Sequence, residues 1–362
     1  PINSRTQYII TKKKQKQTNM ASRVQINNTA GSGTVFPSNV NPDDLKFDPT
    51  KGHIIRYPGG KGYGYWVGGM KVTYDEESGL FVLFYRQRTP LEKGRGGSAN
   101  VAVSKDGMNF EDVWNCGKIE LNANSIEVGH VVRDPHTKMW HLYISYEYAA
   151  GRVWRVDVIT GKTLDTLDTQ GRRTVIQPGE YGLAGIKDPF VYVRDGMYYL
   201  YAHTFSARGA KSAIKKLIKN YGNDGKHRYI GTDTTGLSVS KDGFYFEEIE
   251  TVFDAPNDNS WDGKMARLNS LVPYKGGYFC TFDGQRTAFD RYEEKCGICW
   301  SPDGKIFHRE RLPEPWVSSP HGSKTVRYVY GLRVKNTLYW YYEYCIANKS
   351  HVMKVSKVEL KD

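Results

Sequence analysis

The sequence predicts an all-β fold, a five-bladed β-propeller built from four-stranded antiparallel blades. A unit of about 60 residues occurs five times along the 362 residues, and its strands are joined by short turns. Each unit has a second strand that is rich in aromatic residues. Five such units match a closed ring of blades, because one four-stranded unit cannot bury both of its faces alone.

The first two strands of each unit form a predicted hairpin. The turns read DEESG, DPHTK, RDG, KGG and KN, and the second strands read FVLFYRQR, WHLYISYEY, YYLYAHTF, YFCTFDGQR and YWYYEY. Gly, Asp and Asn are the residues that tight hairpin turns require. These sequences therefore predict five antiparallel strand pairs.

A third and a fourth strand follow in each unit. Three third strands run into the motif Ser-x-Asp-Gly-x-x-Phe, at Ser104–Phe110, Ser240–Phe246 and Ser301–Phe307. The Asp-Gly pair predicts a tight turn, and the Phe begins the fourth strand. The predicted blades are 66–113, 126–170, 186–251, 266–311 and 327–360. We expect residues 24–28 or 53–57 to add the outer strand of the last blade. Two β-sandwiches are the alternative, which the regular unit disfavours.

The net charge of +12 lies almost entirely in two segments. Residues 1–19 carry +5 and residues 206–230 carry +6, so the remainder is nearly neutral and does not predict a specific nucleic-acid partner. Residues 1–22 are expected to be a flexible basic tail, and residues 23–362 a single domain. Apolar residues at helical spacing predict a short basic helix at 206–230, inserted in the third blade. It would shape the substrate pocket, join a second subunit or pack on the rim of the propeller.

The sequence also restricts the environment of the protein. It has no apolar run long enough to cross a bilayer and no visible signal peptide, so we expect a soluble chain without assigning its compartment. Five cysteines are too few for a disulfide framework and are compatible with a reducing compartment. The pair Cys296 and Cys299 lies in a predicted strand, where this spacing puts the thiols on opposite faces, so no metal site is predicted.

Charged residues are predicted to converge at one end of the central channel. The starts of the first strands and the ends of the second strands share this end, because the two strands run antiparallel. The hairpin register places there Gly68, Glu127, Asp188, Leu268 and Tyr328 from the first strands, and Arg86, Ser145, His203, Asp283 and Glu343 from the second strands. Carboxylates with unequal pKa values serve general acid–base catalysis. The alternative is a network of ion pairs that holds the blades together.

One segment resembles a known superfamily. Gly185–Tyr201 has an Asp-Pro start, an Asp-Gly turn and a Tyr-Tyr-Leu-Tyr second strand, and in these features it resembles the blade signature of the five-bladed propeller glycosidases, which include glycoside hydrolase families 32, 43, 117 and 130. The repeated Ser-x-Asp-Gly-x-x-Phe is also common there. The resemblance covers about residues 53–360 and implies a glycosidase that uses carboxylates in the propeller channel.

The resemblance departs from family 43 in the first blade. That family implies a basic Asp, a pKa-tuning Asp and an acidic Glu on the first three blades, and the matching positions here are Gly68, Glu127 and Asp188. The first blade therefore lacks its carboxylate. Tyr85–Glu92 resembles the arginine-rich first-blade segment of family 130, whose relatives include phosphorylases as well as hydrolases.

These observations define the candidate site. Asp188 and Glu127 are the predicted catalytic carboxylates, one as proton donor to the leaving oxygen and the other as base or as its tuner, and Asp262 is a third candidate. The predicted substrate-binding residues are Arg86, Arg88, His203, Arg267, Asp283, His321, Arg327, Glu343, Trp66 and Trp261. Guanidinium groups suit carboxylate, sulfate or phosphate, and indole rings stack on sugars or fill the core. No cofactor or metal is required, although a channel ion such as calcium is compatible with the sequence.

The leading functional hypothesis is an exo-acting glycosidase that degrades an acidic or modified oligosaccharide. A glycoside phosphorylase and a non-catalytic glycan-binding propeller are the alternatives. The expected partner is a carbohydrate, and the 206–230 insertion offers a route to an oligomer.

Overall fold

The computed structural model describes residues 34–178, 183–206, 233–287 and 293–360. Strands β1 to β20 account for most of this part of the chain, and its helical segments are short. These are 3-10 turns at Pro42–Leu45, Leu91–Lys93 and Leu164–Thr166, and one α-helical turn at Lys118–Leu121. None of the described helices has the length and apolar character needed to cross a membrane.

Three antiparallel sheets have four strands each, and a fourth sheet has eight strands. The eight-stranded sheet consists of two antiparallel halves joined by a single parallel bridge between Trp66 and His351, so the strands β2 to β20 fall into five antiparallel sets, numbered in chain order. The first set is β2 (Trp66–Asp75), β3 (Leu80–Arg88), β4 (Gly96–Ser104) and β5 (Glu111–Gly117). The second is β6 (Ala123–Arg133), β7 (Trp140–Tyr148), β8 (Val153–Gly161) and β9 (Arg173–Ile176). The third is β10 (Leu183–Arg194), β11 (Met197–Ser206), β12 (Asp233–Ser240) and β13 (Glu250–Phe253). The fourth is β14 (Arg267–Tyr274), β15 (Gly277–Gly284), β16 (Lys295–Ser301) and β17 (His308–Arg309). The fifth is β18 (Val326–Val334), β19 (Thr337–Cys345) and β20 (His351–Glu359).

Strand β1 (His53–Arg56) completes the fifth set from the other end of the described chain. It pairs antiparallel with β20, with Ile54 opposite Lys354. The Lys354 ammonium donates hydrogen bonds of 2.8 Å to the carbonyls of Pro49 and Thr50, which fixes the approach to β1. The outer strand thus comes from the segment predicted at 53–57. The other candidate, 24–28, lies outside the described residues, as do the tail at 1–22 and residues 207–230 of the predicted helix.

The five sets contact one another in cyclic order. Their first strands touch in the sequence β2, β6, β10, β14, β18 and back to β2. The described core divides into five apolar clusters, one between each pair of neighbouring sets, including the pair formed by the fifth and the first. The largest is rich in aromatic rings, with Trp340 fully buried between the fourth and fifth sets. Each set therefore buries both faces against neighbouring sets.

The Ser-x-Asp-Gly motif joins neighbouring sets. In each copy the serine hydroxyl accepts a hydrogen bond from the glycine N–H, which stabilises the turn. The carbonyls of Gly107, Gly243 and Gly304 then accept hydrogen bonds from tyrosines of the preceding set, Tyr341, Tyr143 and Tyr201 respectively. These glycines have φ of 71° to 78°, and a Cβ on any of them would approach its tyrosine hydroxyl within 3.0 Å. The motif is a hydrogen-bonded contact between sheets as well as a hairpin turn.

Candidate functional site

Each first strand has a break in register near the start of the strand. In β10, Lys187 pairs with His203 and the next pair is Phe190 with Tyr201, so Asp188 lies in a bulge. Equivalent breaks occur between Gly68 and Lys71, Ile126 and Gly129, Leu268 and Ser270, and Arg327 and Tyr330. Such bulges re-aim side chains. Asp188 has a left-handed φ of 54° in its bulge.

The bulges correct the predicted alignment of the channel mouth. Gly68 pairs with Arg86 as the hairpin register implied. In the third set His203 pairs with Lys187, one residue earlier than the predicted Asp188. In the fourth and fifth sets the partners of Asp283 and Glu343 are likewise Arg267 and Arg327, one residue earlier than the predicted Leu268 and Tyr328. The correction places an arginine directly opposite each of these carboxylates.

Glu127 lies among cations at the contact of the first and second sets. Arg86 Nη2 is 3.1 Å from its carboxylate and Arg95 Nη2 is 3.5 Å from it. Both Arg86 and Glu127 are buried. Burial would raise the pKa of Glu127, but the charges of Arg86, Lys187 and Arg88 outweigh it and lower the pKa to about 2. Glu127 is therefore ionised at neutral pH.

Asp188 is held on the neighbouring third set. The Arg267 guanidinium donates a 2.8 Å hydrogen bond to its carboxylate, and Lys187 Nζ lies 3.9 Å away. The Asp188 N–H donates to Ser145 Oγ at 3.0 Å, which ties the bulge to the second set. Burial opposes ionisation, but Lys187 and Arg267 hold the pKa of Asp188 well below its ordinary range. Its other oxygen, Oδ1, has no hydrogen-bond donor within the described residues.

His203 lies between two aspartates. Its Nδ1 is 3.8 Å from Asp188 and its Nε2 is 3.2 Å from Asp233, which begins β12. The imidazole is buried, whereas the Asp233 side chain is 14% exposed. His203 therefore links the buried Asp188 to Asp233, which is partly exposed.

The fourth and fifth sets supply the acidic side of the mouth. Arg267 binds Asp283 at 2.6 Å, and Arg327 binds Glu343 at 2.6 Å and also contacts Glu294. Burial raises the pKa of Asp283 against the opposing charge of Arg267. The charges of the two arginines overcome burial and lower the pKa of Glu294 to about 2.

Tyr328 joins the two sides. Its ring centroid lies 5.7 Å from the Arg86 guanidinium carbon, 4.1 Å from that of Arg267 and 5.3 Å from that of Arg327. Arg86 donates a 3.3 Å hydrogen bond to its hydroxyl. The Tyr328 N–H donates to Asp283 at 3.1 Å, so the fourth set holds the fifth-set bulge, where φ is 51°. Tyr328 therefore contacts arginines of both sides.

Charge is therefore unevenly distributed across the predicted channel mouth. The basic side has three arginines, Arg86, Arg88 and Arg95, that act on Glu127, and Lys187 acts on both Glu127 and Asp188. The acidic side has two arginines, Arg267 and Arg327, among the four carboxylates Asp188, Asp283, Glu294 and Glu343. The basic side suits an anionic group of a ligand, since arginine binds carboxylate and phosphate through paired donors.

Trp66 is a platform for arginines. It is 2% exposed, and the guanidinium carbons of Arg88 and Arg327 lie 5.0 and 4.9 Å from its ring centroid. His351 stacks on it at 4.9 Å and places Nδ1 2.6 Å from Glu343. The indole is thus occupied by protein side chains and orients the two arginines.

Three predicted site residues have their described contacts elsewhere. Trp261 is buried against Phe282 and donates its indole N–H to Leu312 O at 2.9 Å. Asp262 binds Arg309 of β17 at 2.6 Å. His321 is exposed on a loop. Among the contacts between described residues, none joins these three side chains to Glu127 or Asp188, so we leave them out of the proposed catalytic group.

The structure adds residues that the sequence-based alignment omitted. Asp233 begins the third strand of its set, Glu294 directly precedes one, and His351 begins another. Third strands run parallel to first strands, so the starts of both lie at the same end of each sheet. The position of these residues at the starts of third strands could have been read from the sequence. Within the ranges that the structure describes, no cluster of three or more His, Cys, Asp or Glu suited to a metal ion is found.

Several solved structures share this architecture. A thermostable family-43 glycoside hydrolase has a TM-score of 0.55 at 11% identity, with 86% of this chain and 94% of that chain covered. The GH43_1 enzyme from Xanthomonas citri in complex with xylotriose has a TM-score of 0.56 at 11% identity, with coverage of 84% and 90%. The β-1,2-mannobiose phosphorylase from Listeria innocua, in complex with β-1,2-mannobiose, has a TM-score of 0.51 at 15% identity, with coverage of 87% and 94%.

No family model matches the sequence, and no curated protein matches it either. At these low identities the structural likeness concerns the fold. It agrees with the resemblance seen at Gly185–Tyr201. The protein therefore shares its fold with the propeller glycosidases, the family 43 hydrolases and related enzymes.

Proposed function

We propose that the five sets are the blades of a five-bladed propeller and that the charged channel mouth is the active site of a glycosidase. The cyclic contacts of the first strands and the apolar cluster between every pair of neighbouring sets support the ring. The observation that carries the activity is the pair Glu127 and Asp188. These are buried carboxylates on adjacent blades at the channel mouth, each held by cations from another blade.

The low pKa values restrict the roles of this pair. Glycoside hydrolysis needs a carboxylate and a carboxylic acid on opposite sides of the scissile bond. Both Glu127 and Asp188 are ionised in the free protein, so one must gain a proton when substrate binds. Asp188 keeps its partner Arg267, and we assign it the role of base that takes a proton from the attacking water.

Glu127 is the proposed acid, and it becomes protonated when the substrate binds. Four cations lower its pKa, and an anionic group bound to those cations would neutralise part of their charge. The pKa of Glu127 then rises, and the carboxyl group takes a proton from solvent and donates it to the leaving oxygen. This mechanism favours an acidic oligosaccharide, cleaved from its end, as the substrate.

The decisive experiment compares Asp188→Asn and Glu127→Gln with the wild type on uronic-acid-containing, sulfated and neutral oligosaccharides. Each variant is expected to lose about 10²–10⁴ of kcat/KM, as removal of a general acid or base typically does, while it still binds the oligosaccharide. Glu77→Gln, an exposed glutamate paired with Arg133, is the matched control and should retain full activity. Unchanged turnover in both site variants would disprove the assignment. Binding by the wild type without turnover of any oligosaccharide would favour a glycan-binding propeller.

The same cations support a second candidate activity. Inorganic phosphate is an anion of the size that an arginine cluster binds, and a phosphorylase would use it in place of water. The assay is therefore run with and without phosphate. A sugar phosphate product and turnover that requires phosphate would favour phosphorolysis over hydrolysis.

A further inference from the structure

Exposed apolar side chains are concentrated beside the proposed site. In the described ranges, five large apolar residues are more than half exposed. Tyr57 directly follows β1, the outer strand of the fifth set, and Tyr63 lies just before β2. Leu91 lies just after β3 and Ile119 just after β5. These positions share the channel-mouth end of the first blade and of the adjoining outer strand. The fifth, Tyr245, lies in the turn after β12, at the opposite end.

Three segments form one surface here, which we call the first-blade rim: 57–65, 89–95 and 118–121. The first two are tightly packed, since a Cβ on Gly64 would lie 2.7 Å from the Pro90 Cα. Lys93 Nζ donates to the Tyr65 hydroxyl at 2.7 Å. Lys118 Nζ donates to the Gly94 carbonyl, also at 2.7 Å, and so attaches the third segment. The rim is held together by contacts between its segments.

Tyr63 connects the rim to the site. Its ring is 54% exposed and lies perpendicular to Trp66, with centroids 5.1 Å apart. Trp66 in turn carries Arg88 and Arg327 on its ring. An exposed aromatic ring therefore lies one contact away from the arginine platform of the channel mouth.

The charge of the rim distinguishes between its potential occupants. Its three segments contain the cations Lys61, Lys93, Arg95 and Lys118 and the anions Glu92 and Glu120. This excess of positive charge continues the basic side of the channel mouth. A second copy that presented the same surface in a twofold dimer would place positive charge against positive charge. An acidic carbohydrate chain would meet attraction instead, and its sugar rings would have tyrosine faces to stack on.

We propose that the first-blade rim binds the outer sugars of a uronic-acid-containing chain whose end occupies the channel. The inference rests on the proposed function for the position of the chain end. It extends that function by naming a polymer, rather than a small glycoside, as the substrate. Tyr63 is the central contact, and Tyr57 lies on the same segment.

Affinity electrophoresis in native gels that contain polygalacturonate, with xylan gels as a neutral reference, tests the rim. The proteins are Glu127→Gln and the same variant with Tyr63→Ala, Tyr63→Phe or Tyr245→Ala added. Polygalacturonate should retard the parent protein more than xylan does. Tyr63→Ala should weaken binding about tenfold, which is the effect of losing one ring stacked on a ligand. Tyr63→Phe, which keeps the ring, and Tyr245→Ala, an exposed tyrosine at the other end, should bind like the parent protein.

Equal retardation of the Tyr63→Ala protein and its parent, or no retardation of the parent protein, would overturn the proposal. Sedimentation velocity tests the alternative occupant, which is a second copy of the chain. A dimer that Tyr63→Ala dissociates would make the rim an interface between copies. The gel measures binding by a protein that already carries Glu127→Gln. Its result is therefore independent of the turnover assay that tests the proposed function.

Discussion

Replacing Glu127 by Gln should destabilise the protein strongly at neutral pH. The buried carboxylate balances Arg86 and Arg95, and Gln preserves its shape while removing its charge. A pKa lowered from the ordinary 4.5 to about 2 corresponds to about 3 kcal/mol of stability. Loss of one partner also leaves the buried Arg86 without its carboxylate, which acts in the same direction. We expect a loss of about 3 kcal/mol in the free energy of unfolding at pH 7.

The difference in the free energy of unfolding between wild type and Glu127→Gln should depend on pH. Because the pKa of Glu127 is lower in the folded protein, its contribution is complete above about pH 4.5 and is lost as the pH falls through about 2. The difference between wild type and Glu127→Gln should therefore be constant from pH 8 to about 5.5. It should shrink to about half by pH 3.

Urea unfolding followed by tryptophan fluorescence measures this difference at each pH. Glu77→Gln is the control, since Glu77 is 59% exposed and 3.1 Å from Arg133, and an exposed pair contributes about 0–1 kcal/mol. A Glu127→Gln protein within 1 kcal/mol of wild type at pH 7 would refute the reasoning. A loss that stays constant down to pH 3 would refute it as well, because the pairing would then not depend on the charge.

Two further substitutions test other buried charges. Burial lowers the pKa of Lys71 to about 7, so stability should rise with pH from about 7 to 10.5. Lys71→Met removes this buried charge but leaves the Asn269 carbonyl without the ammonium that donates to it at 2.8 Å, so at pH 6.5 the variant should be more stable than wild type by about 3 kcal/mol. Urea unfolding at pH 6.5 and 9.5 checks this, and equal stability of the two proteins at pH 6.5 would contradict it. Asp262→Asn should lower the free energy of unfolding by about 3 kcal/mol, because Arg309 loses its buried partner, and should keep kcat/KM within about threefold of wild type. A loss of turnover at unchanged stability would return Asp262 to the catalytic group.

The sheets could be predicted because their turns are local. Each hairpin depends on a few Gly, Asp or Asn residues, and the second strands predicted from these turns are β3, β7, β11, β15 and β19. The role of the Ser-x-Asp-Gly turns in joining sheets could not be predicted. It depends on tyrosines such as Tyr143 and Tyr341, which come from a different repeat.

The register at the channel mouth was predicted only in part. Gly68 and Arg86 are paired as expected. Lys187, Arg267 and Arg327 take the paired positions that were predicted for Asp188, Leu268 and Tyr328. A bulge adds residues to one strand without changing the turn. A bulge can be recognised in a sequence when it interrupts the alternation of buried and exposed residues. Most residues of β14 and β18 are buried, so their sequences have no such alternation to interrupt.

The composition of the site was predicted to a similar extent. Glu127 and Asp188 are both buried beside arginines of neighbouring sets, and their role in a site stays a prediction. Asp233 and Glu294 were omitted because only first and second strands were aligned. Trp261 was selected for its residue type, and in the structure it fills the core. Residue type alone does not distinguish a ligand-stacking indole from a core indole.

The pairing of β1 with β20 also determines when the protein can complete its fold. Ile54 cannot pair until Lys354 has been synthesised, which is about 300 residues later. At about 5–20 residues per second this takes on the order of half a minute, during which four sets can form but the fifth has no third strand. The apolar faces that border the gap stay uncovered until β20 has been synthesised. The fifth set is therefore the part of the protein in which nascent chains are most open to misassembly and to chaperones.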